Sequence, residues 1–277
     1  MNNAPNPAEL HPAKLPNLVL AGVRLHAISE TQCVAHVIQC LEINRGGWIA
    51  TANLDHMRRL RRSAEFRRVY SGTTVVVADG MPLVWASKLQ GTPLPGRVAG
   101  SDLIHSLTAG AAAHQRSVFL LGGDPGSAEA AAKQLMKDHP GLRVAGTYCP
   151  ATGFENDPAQ MDELRSAVEK SQPDIVFVAL GSPKQELLIS RINSTLPQSW
   201  WIGVGISFSF VCGAIRRAPP LMQRLGLEWL HRLIQEPRRL GIRYLWHGPP
   251  CFCWLVFSGL SGRGAARRVR DARQSIQ

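Results

Sequence analysis

Short apolar runs rich in β-branched residues alternate along this chain with longer segments of helical periodicity, and this alternation is what most constrains the fold. Asp174–Leu180 is one such run, and it is followed directly by Gly181-Ser-Pro and then by a new apolar-periodic segment. Buried parallel strands are continuous apolar runs, whereas helices that cover a sheet are apolar on one face. The alternation predicts an α/β fold with a doubly wound, mostly parallel, Rossmann-like sheet and right-handed crossovers.

Seven segments are predicted to be strands. They are Leu18–Val23, Trp48–Ala52, Thr74–Ala78, Val118–Leu121, Val144–Tyr148, Asp174–Leu180 and Trp200–Val204. Ser29 is expected to cap the first helix, and the arginine-rich segment His56–Tyr70 is expected to form one helix with a solvated outer face. A further helix is expected from Asp102, capped by Ser101 or by Asp102 itself.

Composition divides the chain into three parts. Residues 1–16 contain four prolines and no apolar core of the kind that a signal peptide needs, so they are interpreted as a disordered leader and export is not indicated. Residues 17–215 are expected to form the α/β catalytic domain, and residues 216–277 a basic helical appendage. The six cysteines form no Cys-x-x-Cys pair and no zinc-type cluster with histidine, which fits reduced thiols in a cytosolic protein.

The positive charge is concentrated in the appendage. Residues 216–277 hold twelve arginines and three acidic residues, and so carry +9 of the formal net charge of +11. This asymmetry indicates an anionic partner: a membrane surface, a nucleic acid or a phosphorylated substrate. Leucines and tryptophans interleaved with the arginines favour peripheral contact with an anionic bilayer. The most apolar stretch of the appendage, Cys251–Phe257, is far shorter than the ~20 residues of a spanning helix.

Polar residues or glycine loops follow four of the predicted strands at the point where each strand ends. They are Thr51 and Asn53, Asp79, Lys184 with Gln185, and the loop Gly203–Gly205. Carboxyl ends of parallel strands share one edge of the sheet, and ligands bind there to loops and helix N-termini. The sequence therefore predicts a nucleotide or phosphate site at this edge.

Each of these residues also has a purely structural interpretation. Asp79 could simply form an Asp-Gly turn, and Thr51 and Asn53 could cap the helix that follows them. Lys184 could be a solvated surface charge. The histidines, His56 among them, have no partner pattern and are expected to be structural or exposed.

Several short motifs follow one another in a characteristic order. They are Thr51-x-Asn53, Ala78-Asp79-Gly80, Arg97-Val-x-Gly-Ser-Asp102, Phe119-Leu-Leu-Gly-Gly, Leu180-Gly-x-Pro-Lys-Gln-Glu186, Arg217-Ala-Pro, Leu227-Glu-Trp-Leu-x-Arg232 and Glu236-Pro-x-Arg239. In this order, the chain resembles the WecG/TagA/CpsF glycosyltransferases from roughly Val19 to Arg239. The resemblance implies transfer of a sugar, N-acetylmannosamine-type or glucose, with inversion, from a UDP-sugar to a polyprenyl-diphosphate-linked saccharide. It also implies a role in cell-surface polysaccharide synthesis, at the cytoplasmic face of the plasma membrane.

The resemblance gives roles to particular residues. A single displacement needs a base for the acceptor hydroxyl, and Asp79 is the expected catalytic carboxylate. The negative charge of the leaving diphosphate must also be neutralised. Because no Asp-x-Asp motif occurs, arginine side chains rather than a metal ion are expected to do this. No cofactor is expected. The expected substrate-binding residues are Thr51, Asn53, Arg97, Asp102, Lys184, Gln185, Arg217, Arg232 and Arg239.

Two positions depart from the family pattern. After Gly205 the family usually has a small residue and then Phe-Asp, whereas this chain has Ile206–Ser209 and so lacks the acid. The last family arginine is also displaced, because Ile242 stands where it is expected and Arg243 follows. One residue on a helix changes the direction of a side chain by about 100°.

Two other classes of protein remain open on sequence grounds. A non-enzymatic nucleic-acid binder could use the arginine-rich appendage, but no recognition-helix or RNA-binding aromatic motif occurs. A nucleotide-dependent oxidoreductase could share the fold, but residues 121–126 lack the Gly-x-Gly-x-x-Gly spacing. The expected partners are therefore the UDP-sugar, the polyprenyl-linked acceptor and an anionic membrane, without nucleic acid. A homo-oligomer is a further possibility, since the appendage can pack on its own core or on a neighbour's.

Overall fold

The architecture is that of a parallel sheet between two layers of helices. The computed structural model describes the backbone of residues 14–224 and 226–274, and the side chains in those ranges except at 220, 224, 239, 243, 244 and 262–274. Most of the expected leader, residues 1–13, lies outside the described residues. The predicted α/β class is confirmed.

Six parallel strands form the sheet. They are β3 (Gly47–Ala52), β4 (Val75–Ala78), β5 (Ser117–Gly122), β6 (Arg143–Tyr148), β7 (Ile175–Ala179) and β8 (Trp200–Gly203), in the spatial order β4-β3-β8-β7-β5-β6. Each agrees with its predicted segment to within one residue at either end. Because all neighbours are parallel, the six carboxyl ends lie at one edge.

The segment predicted as a first strand is instead a small hairpin. Strands β1 (Asn17–Leu20) and β2 (Val23–His26) pair antiparallel. Ala21 and Gly22 connect them with φ angles of 50° and 81°, the left-handed conformation that two-residue hairpin turns require. The single-strand prediction was wrong because this turn was not recognised in Ala21-Gly22.

The helices cover both faces of the sheet and form the appendage. They are α1 (Glu30–Glu42), α2 (Leu54–Arg62), α3 (Ala64–Tyr70), α4 (Met81–Gln90), α5 (Gly100–Ala113), α6 (Ser127–Asp138), α7 (Pro158–Ser171), α8 (Lys184–Ile192), α9 (Ser207–Val211), α10 (Pro220–Arg224), α11 (Glu228–Gln235), α12 (Pro237–Gly241) and α13 (Gly248–Gln274). A π-helical segment, Ile242–His247, joins the last two, and short 3₁₀ turns lie at Phe154–Asn156 and Asn193–Thr195.

Helix starts follow the capping rules in some places and not in others. Ser29 caps α1 as predicted, since its Oγ accepts from the N–H of Gln32 at 3.2 Å. The single helix predicted over His56–Tyr70 is wrong, because Ser63 adopts an extended conformation and caps α3 as a separate helix. The capping expected from Ser101 or Asp102 is also wrong: α5 begins at Gly100 after Ala99.

Tryptophans of the central strand β8 fill the core on both faces. Trp200 packs with α1 and α5 residues such as Val37 and Ile104, whereas Trp201 faces α7 and α8 and packs with Leu164. Successive strand side chains point to opposite faces, so these neighbours fix β8 between two layers. The strand therefore cannot slip by one residue without exchanging the two cores.

The last helix of the appendage belongs to the core. Cys251 and Leu255 of α13 are buried in one cluster with Leu83 and Ala86 of α4. The two helices approach so closely at Gly259 that a Cβ there would lie 2.9 Å from the carbonyl oxygen of Ala86. Although the composition changes at residue 216, the segment after it packs against the helices of the sheet domain.

The appendage, including the outer side of α13, also exposes large apolar side chains. They are Leu221, Trp229, Ile234, Ile242, Leu245, Trp246, Phe257 and Leu260. Trp246 is the most exposed of these, at 77%. Among the helices of residues 14–224 and 226–274, none combines the length and hydropathy needed to cross a bilayer.

Candidate active site

The segment that follows α4 runs across the ends of three strands and gathers the site there. The N–H of Asp79 donates to the carbonyl oxygen of Ala52 at 2.7 Å, and the N–H of Val98 donates to that of Ala78 at 2.8 Å. A Cβ on Gly100 would lie 3.2 Å from the carbonyl oxygen of Gly203. The carboxyl ends of β3, β4 and β8 therefore meet the start of α5.

Asp79 directly follows β4, the outermost strand of the sheet, at this edge. Burial raises the pKa of its carboxyl to about 6; the neighbouring Arg97 opposes the rise, and the carboxylates of Glu228 and Asp102 add to it. At neutral pH the group is mostly ionised, yet it holds a proton far more readily than an exposed aspartate. It has the character of a general base poised near neutrality.

Two arginines and two carboxylates form a closed ring within electrostatic reach of Asp79, and we call Arg97, Asp102, Arg217 and Glu228 the four-residue ring. Asp102 bridges the arginines, with Oδ2 2.8 Å from Nη2 of Arg97 and Oδ1 2.6 Å from Nη2 of Arg217. Glu228 bridges them again, with Oε2 2.9 Å from Nη1 of Arg97 and Oε1 3.2 Å from Nε of Arg217. Core and appendage are joined here.

The ring is partly shielded from water. Its side chains are 15–25% exposed, so its ion pairs are stronger than those of a solvated surface. Burial lowers the pKa of Arg217, but Asp102 and Glu228 outweigh this effect and the pKa is raised. Sequence reasoning missed Glu228, although it lies inside the Leu227–Arg232 motif and is one of three acids among the twelve arginines of the appendage.

A second, buried network joins three loops of the same edge. His56 Nδ1 accepts from the N–H of Asn53 at 3.3 Å, and its Nε2 donates to Glu186 Oε1 at 3.1 Å. Gln185 Nε2 donates to the same oxygen at 2.8 Å, and Gln185 Oε1 accepts from the N–H of Gly205 at 3.0 Å. His56 is buried, so the exposed alternative is wrong, and it has a buried carboxylate partner that no local pattern revealed.

The surroundings of Glu186 favour the ionised form of its carboxyl. Burial raises the pKa of its carboxyl, but the neighbouring His56 and the hydrogen bonds from His56 and Gln185 outweigh burial, and the pKa is lowered. A Cβ on Gly203 would lie 2.4 Å from Gln185 Nε2, so only glycine leaves room for this amide. The buried side chain of Gln185 thus packs against Gly203 and accepts a hydrogen bond from Gly205, and so fixes the loop after β8.

Thr51 and Asn53 lie at the end of β3 as predicted. Asn53 Oδ1 accepts from the N–H groups of Asp55 and His56 at 3.0 and 3.2 Å, so the capping role that sequence left open is present. Its amide nitrogen has no partner among the described residues. Thr51 is buried and faces Gly100, at the floor of the site.

The other expected basic residues lie outside the four-residue ring. Lys184 Nζ pairs with Glu155 Oε1 at 2.6 Å. The guanidinium carbon of Arg232 lies 5.9 Å from the ring centroid of Phe210, in a cation–π contact. The side chains of Arg239 and Arg243 lie outside the described residues.

Ser209 stands where the family pattern has an acid, and it contacts one. Its Oγ donates to Asp124 Oδ2 at 3.3 Å. Asp124 belongs to the loop between β5 and α6, which also ends at the carboxyl edge of the sheet. A carboxylate is therefore present beside this position, supplied by a different loop.

Within the described part of the chain, no group of three or more histidine, cysteine, aspartate or glutamate side chains is arranged to hold a metal ion. All six cysteines are free thiols. Burial raises the pKa of Cys33 to about 12, so that thiol is unreactive.

Comparison with known proteins identifies the family. The profile described as "Glycosyl transferase WecG/TagA/CpsF family" matches residues 18–265. The chain belongs to this family. The match spans the sheet and most of the appendage, and the expected relationship is confirmed.

Two relatives of this glycosyltransferase carry the same name, N-acetylglucosaminyldiphosphoundecaprenol N-acetyl-beta-D-mannosaminyltransferase. The one from Bacillus spizizenii (strain W23) is 34% identical over 210 residues, which are 76% of this chain and 79% of the relative. The one from Bacillus subtilis (strain 168) is 30% identical over 194 residues, 70% of this chain and 73% of the relative.

Proposed function

We propose that this protein transfers an N-acetylmannosamine-type sugar, with inversion, from a UDP-sugar to a polyprenyl-diphosphate-linked N-acetylglucosamine in cell-envelope polysaccharide synthesis. The observation that carries the proposal is the position of the four-residue ring beside Asp79, in a member of this family. The names of the two relatives support the choice of sugar and acceptor.

Asp79 is the general base of the proposed reaction. The acceptor hydroxyl oxygen attacks the anomeric carbon on the face opposite the diphosphate, and Asp79 takes the hydroxyl proton. The bond from the anomeric carbon to the diphosphate breaks, and its electron pair leaves with the diphosphate oxygen. A pKa of about 6 suits this role, because the carboxyl is ionised at pH 7 and gains affinity for the proton as bond formation proceeds.

Arg97 and Arg217 stabilise the leaving diphosphate. The ring's ion pairs engage two nitrogens of each guanidinium, and a guanidinium has five N–H donors, so others remain for phosphate oxygens. This is charge stabilisation by groups already fixed before the reaction. We expect transfer to continue in EDTA; a rate that collapses with EDTA and returns with Mg²⁺ would contradict this.

The appendage docks the enzyme on the inner face of the plasma membrane. Its exposed Trp246, Leu245 and Phe257 suit the interfacial region, and arginines near an anionic surface contribute roughly 1 kcal/mol each.

The test is a product analysis with the full chain. Purified protein is incubated with the UDP-sugars of N-acetylmannosamine, N-acetylglucosamine and glucose, and with a polyprenyl-diphosphate N-acetylglucosamine acceptor in anionic vesicles. Mass spectrometry should show the acceptor heavier by one N-acetylhexosamine with the first donor only. Transfer of glucose would show that the donor is UDP-glucose and that the proposed N-acetylmannosamine donor is wrong. No product, together with tight NAD or oligonucleotide binding, would favour the oxidoreductase or the nucleic-acid binder.

A further inference from the structure

Glu228 makes an unusual pair of contacts for an acid at the start of a helix. It is the first residue of α11, and both of its carboxylate oxygens are engaged, Oε1 by Arg217 and Oε2 by Arg97. One partner lies in the core segment before α5 and the other in the appendage. Its side chain is only 15% exposed.

Arg217 has no regular structure to hold it. It lies in the irregular segment 212–219 between α9 and α10, so the backbone alone does not fix where its side chain points. Its guanidinium is instead held by the carboxylates of Asp102 in α5 and Glu228 in α11, and its Nη1 donates to the carbonyl oxygen of Ser101 at 3.5 Å. Without these carboxylates, two like-charged guanidinium groups at such close range would repel each other.

We propose that Glu228 is a positioning residue for the donor diphosphate, holding Arg97 and Arg217 side by side with their remaining N–H groups directed at the phosphate oxygens. The inference rests on the proposed function, because it assumes a nucleoside diphosphate at this place. Glu228 itself does not touch the reacting atoms.

A contribution to stability alone is the competing explanation. Isolated surface ion pairs contribute little, but this pair belongs to a shielded network that joins two parts of the chain. A purely structural Glu228 would change the fraction of folded enzyme and hence the apparent kcat. A positioning Glu228 changes the affinity for the diphosphate, which appears in KM and in product inhibition.

The experiment compares Glu228→Gln with the wild-type full chain. Glutamine keeps the shape and one acceptor oxygen but cannot hold two guanidinium groups by charge. We expect the donor KM and the UDP inhibition constant to rise together by about tenfold, the loss of one charge-assisted contact, with the acceptor KM unchanged. Glu65→Gln, which removes an exposed carboxylate on α3, is the matched control and should change neither constant.

The outcomes separate the two proposals. An active Glu228→Gln enzyme with unchanged donor KM and UDP inhibition constant would overturn the positioning role, whatever its kcat or Tm. If Glu228→Gln does not fold, Glu228→Asp decides: a raised UDP inhibition constant supports the role, and a wild-type value overturns it. A wild-type protein that neither transfers sugar nor binds UDP would instead contradict the proposed function.

Discussion

At the scale of single residues, Asp79 is held in a state that favours chemistry over stability. Its pKa of about 6 lies above the ordinary value of an aspartate, about 3.9, so the folded state binds a proton more tightly than the unfolded state. The folded protein therefore loses stability as pH rises from about 4 through about 6. The same ionisation creates the base that the proposed transfer needs.

The pH dependence of kcat/KM should follow Asp79. Activity is expected to fall as pH is lowered through about 6, because the protonated carboxyl cannot accept the hydroxyl proton. Initial rates between about pH 3.5 and 8 with subsaturating donor measure this. An acid limb near pH 4, the region of an unperturbed aspartate, would show that burial does not tune this group.

Asp79→Asn should stabilise the fold at pH 7. The substitution removes a charge that folding partly desolvates, and the pKa shift corresponds to a gain on the order of 1–3 kcal/mol in the free energy of unfolding. Thermal melting should show a Tm higher by a few degrees at pH 7 and no difference near pH 4, where the wild-type carboxyl is protonated. A lower Tm at pH 7 would mean that the carboxylate holds the fold together.

Sequence reasoning selected candidate site residues whose signals are local and missed those whose partners are remote in the chain. Asp79, Arg97, Asp102 and Arg217 stand in recognisable motifs, and the structure brings them together. Glu228 bonds to Arg97 across 131 residues, and His56 bonds to Glu186 across 130. Neither spacing leaves a periodic or short-range pattern.

At the scale of elements, the His56–Glu186 pair ties the start of α2 to the start of α8. Both side chains are buried, at 3% and 4% exposure. Removing one partner of such a pair leaves a buried polar or charged group without compensation, which is costly. This pair should therefore contribute much more than an exposed one.

His56→Ala is expected to lower the free energy of unfolding by about 3 kcal/mol, because buried Glu186 would lose one of its two donors and keep only Gln185. His114→Ala is the matched control: His114 pairs with Glu42 at 3.6 Å, but both side chains are about half exposed, and a cost under roughly 1 kcal/mol is expected. Urea unfolding of both variants measures the difference. Equal losses of unfolding free energy in the two variants would show that burial does not strengthen the His56–Glu186 pair.

Contact between α13 and α4 gives a second comparison at this scale. Gly259→Ala places a Cβ 2.9 Å from the Ala86 carbonyl oxygen and should cost about 1–3 kcal/mol. At Gly241 nothing lies within 4 Å, and Gly241→Ala should be neutral or stabilising by up to about 1 kcal/mol. A Gly259→Ala protein as stable as the Gly241→Ala protein would mean that α13 does not pack closely on the core.

Predictions for individual elements succeeded where burial and periodicity agree. The six sheet strands are buried apolar runs, and these were located almost to the residue. The errors fell where a turn or cap is short: the hairpin at Ala21-Gly22, and the break at Ser63 between α2 and α3. Strand order depends on contacts between distant segments, and no local pattern encodes it.

At the scale of the whole molecule, the appendage and the sheet domain form one packed structure. Cys251 and Leu255 complete a core cluster, and Arg217 and Glu228 complete the four-residue ring. A chain that ends near residue 216 would expose the apolar residues beneath α13 and lose half of the ring. We expect such a truncation to be inactive and less stable than the full chain, as thermal melting would show. A fully active truncation would contradict the account.

The most direct test of the central claim is the single-turnover rate of sugar transfer by Asp79→Asn at saturating donor. We expect a rate lower than wild type by about 10²–10⁴-fold, with UDP-sugar affinity within about twofold, because only the proton acceptor is lost. A rate within a few-fold of wild type would show that Asp79 is not the base, and the site as assembled here would not be the site of transfer.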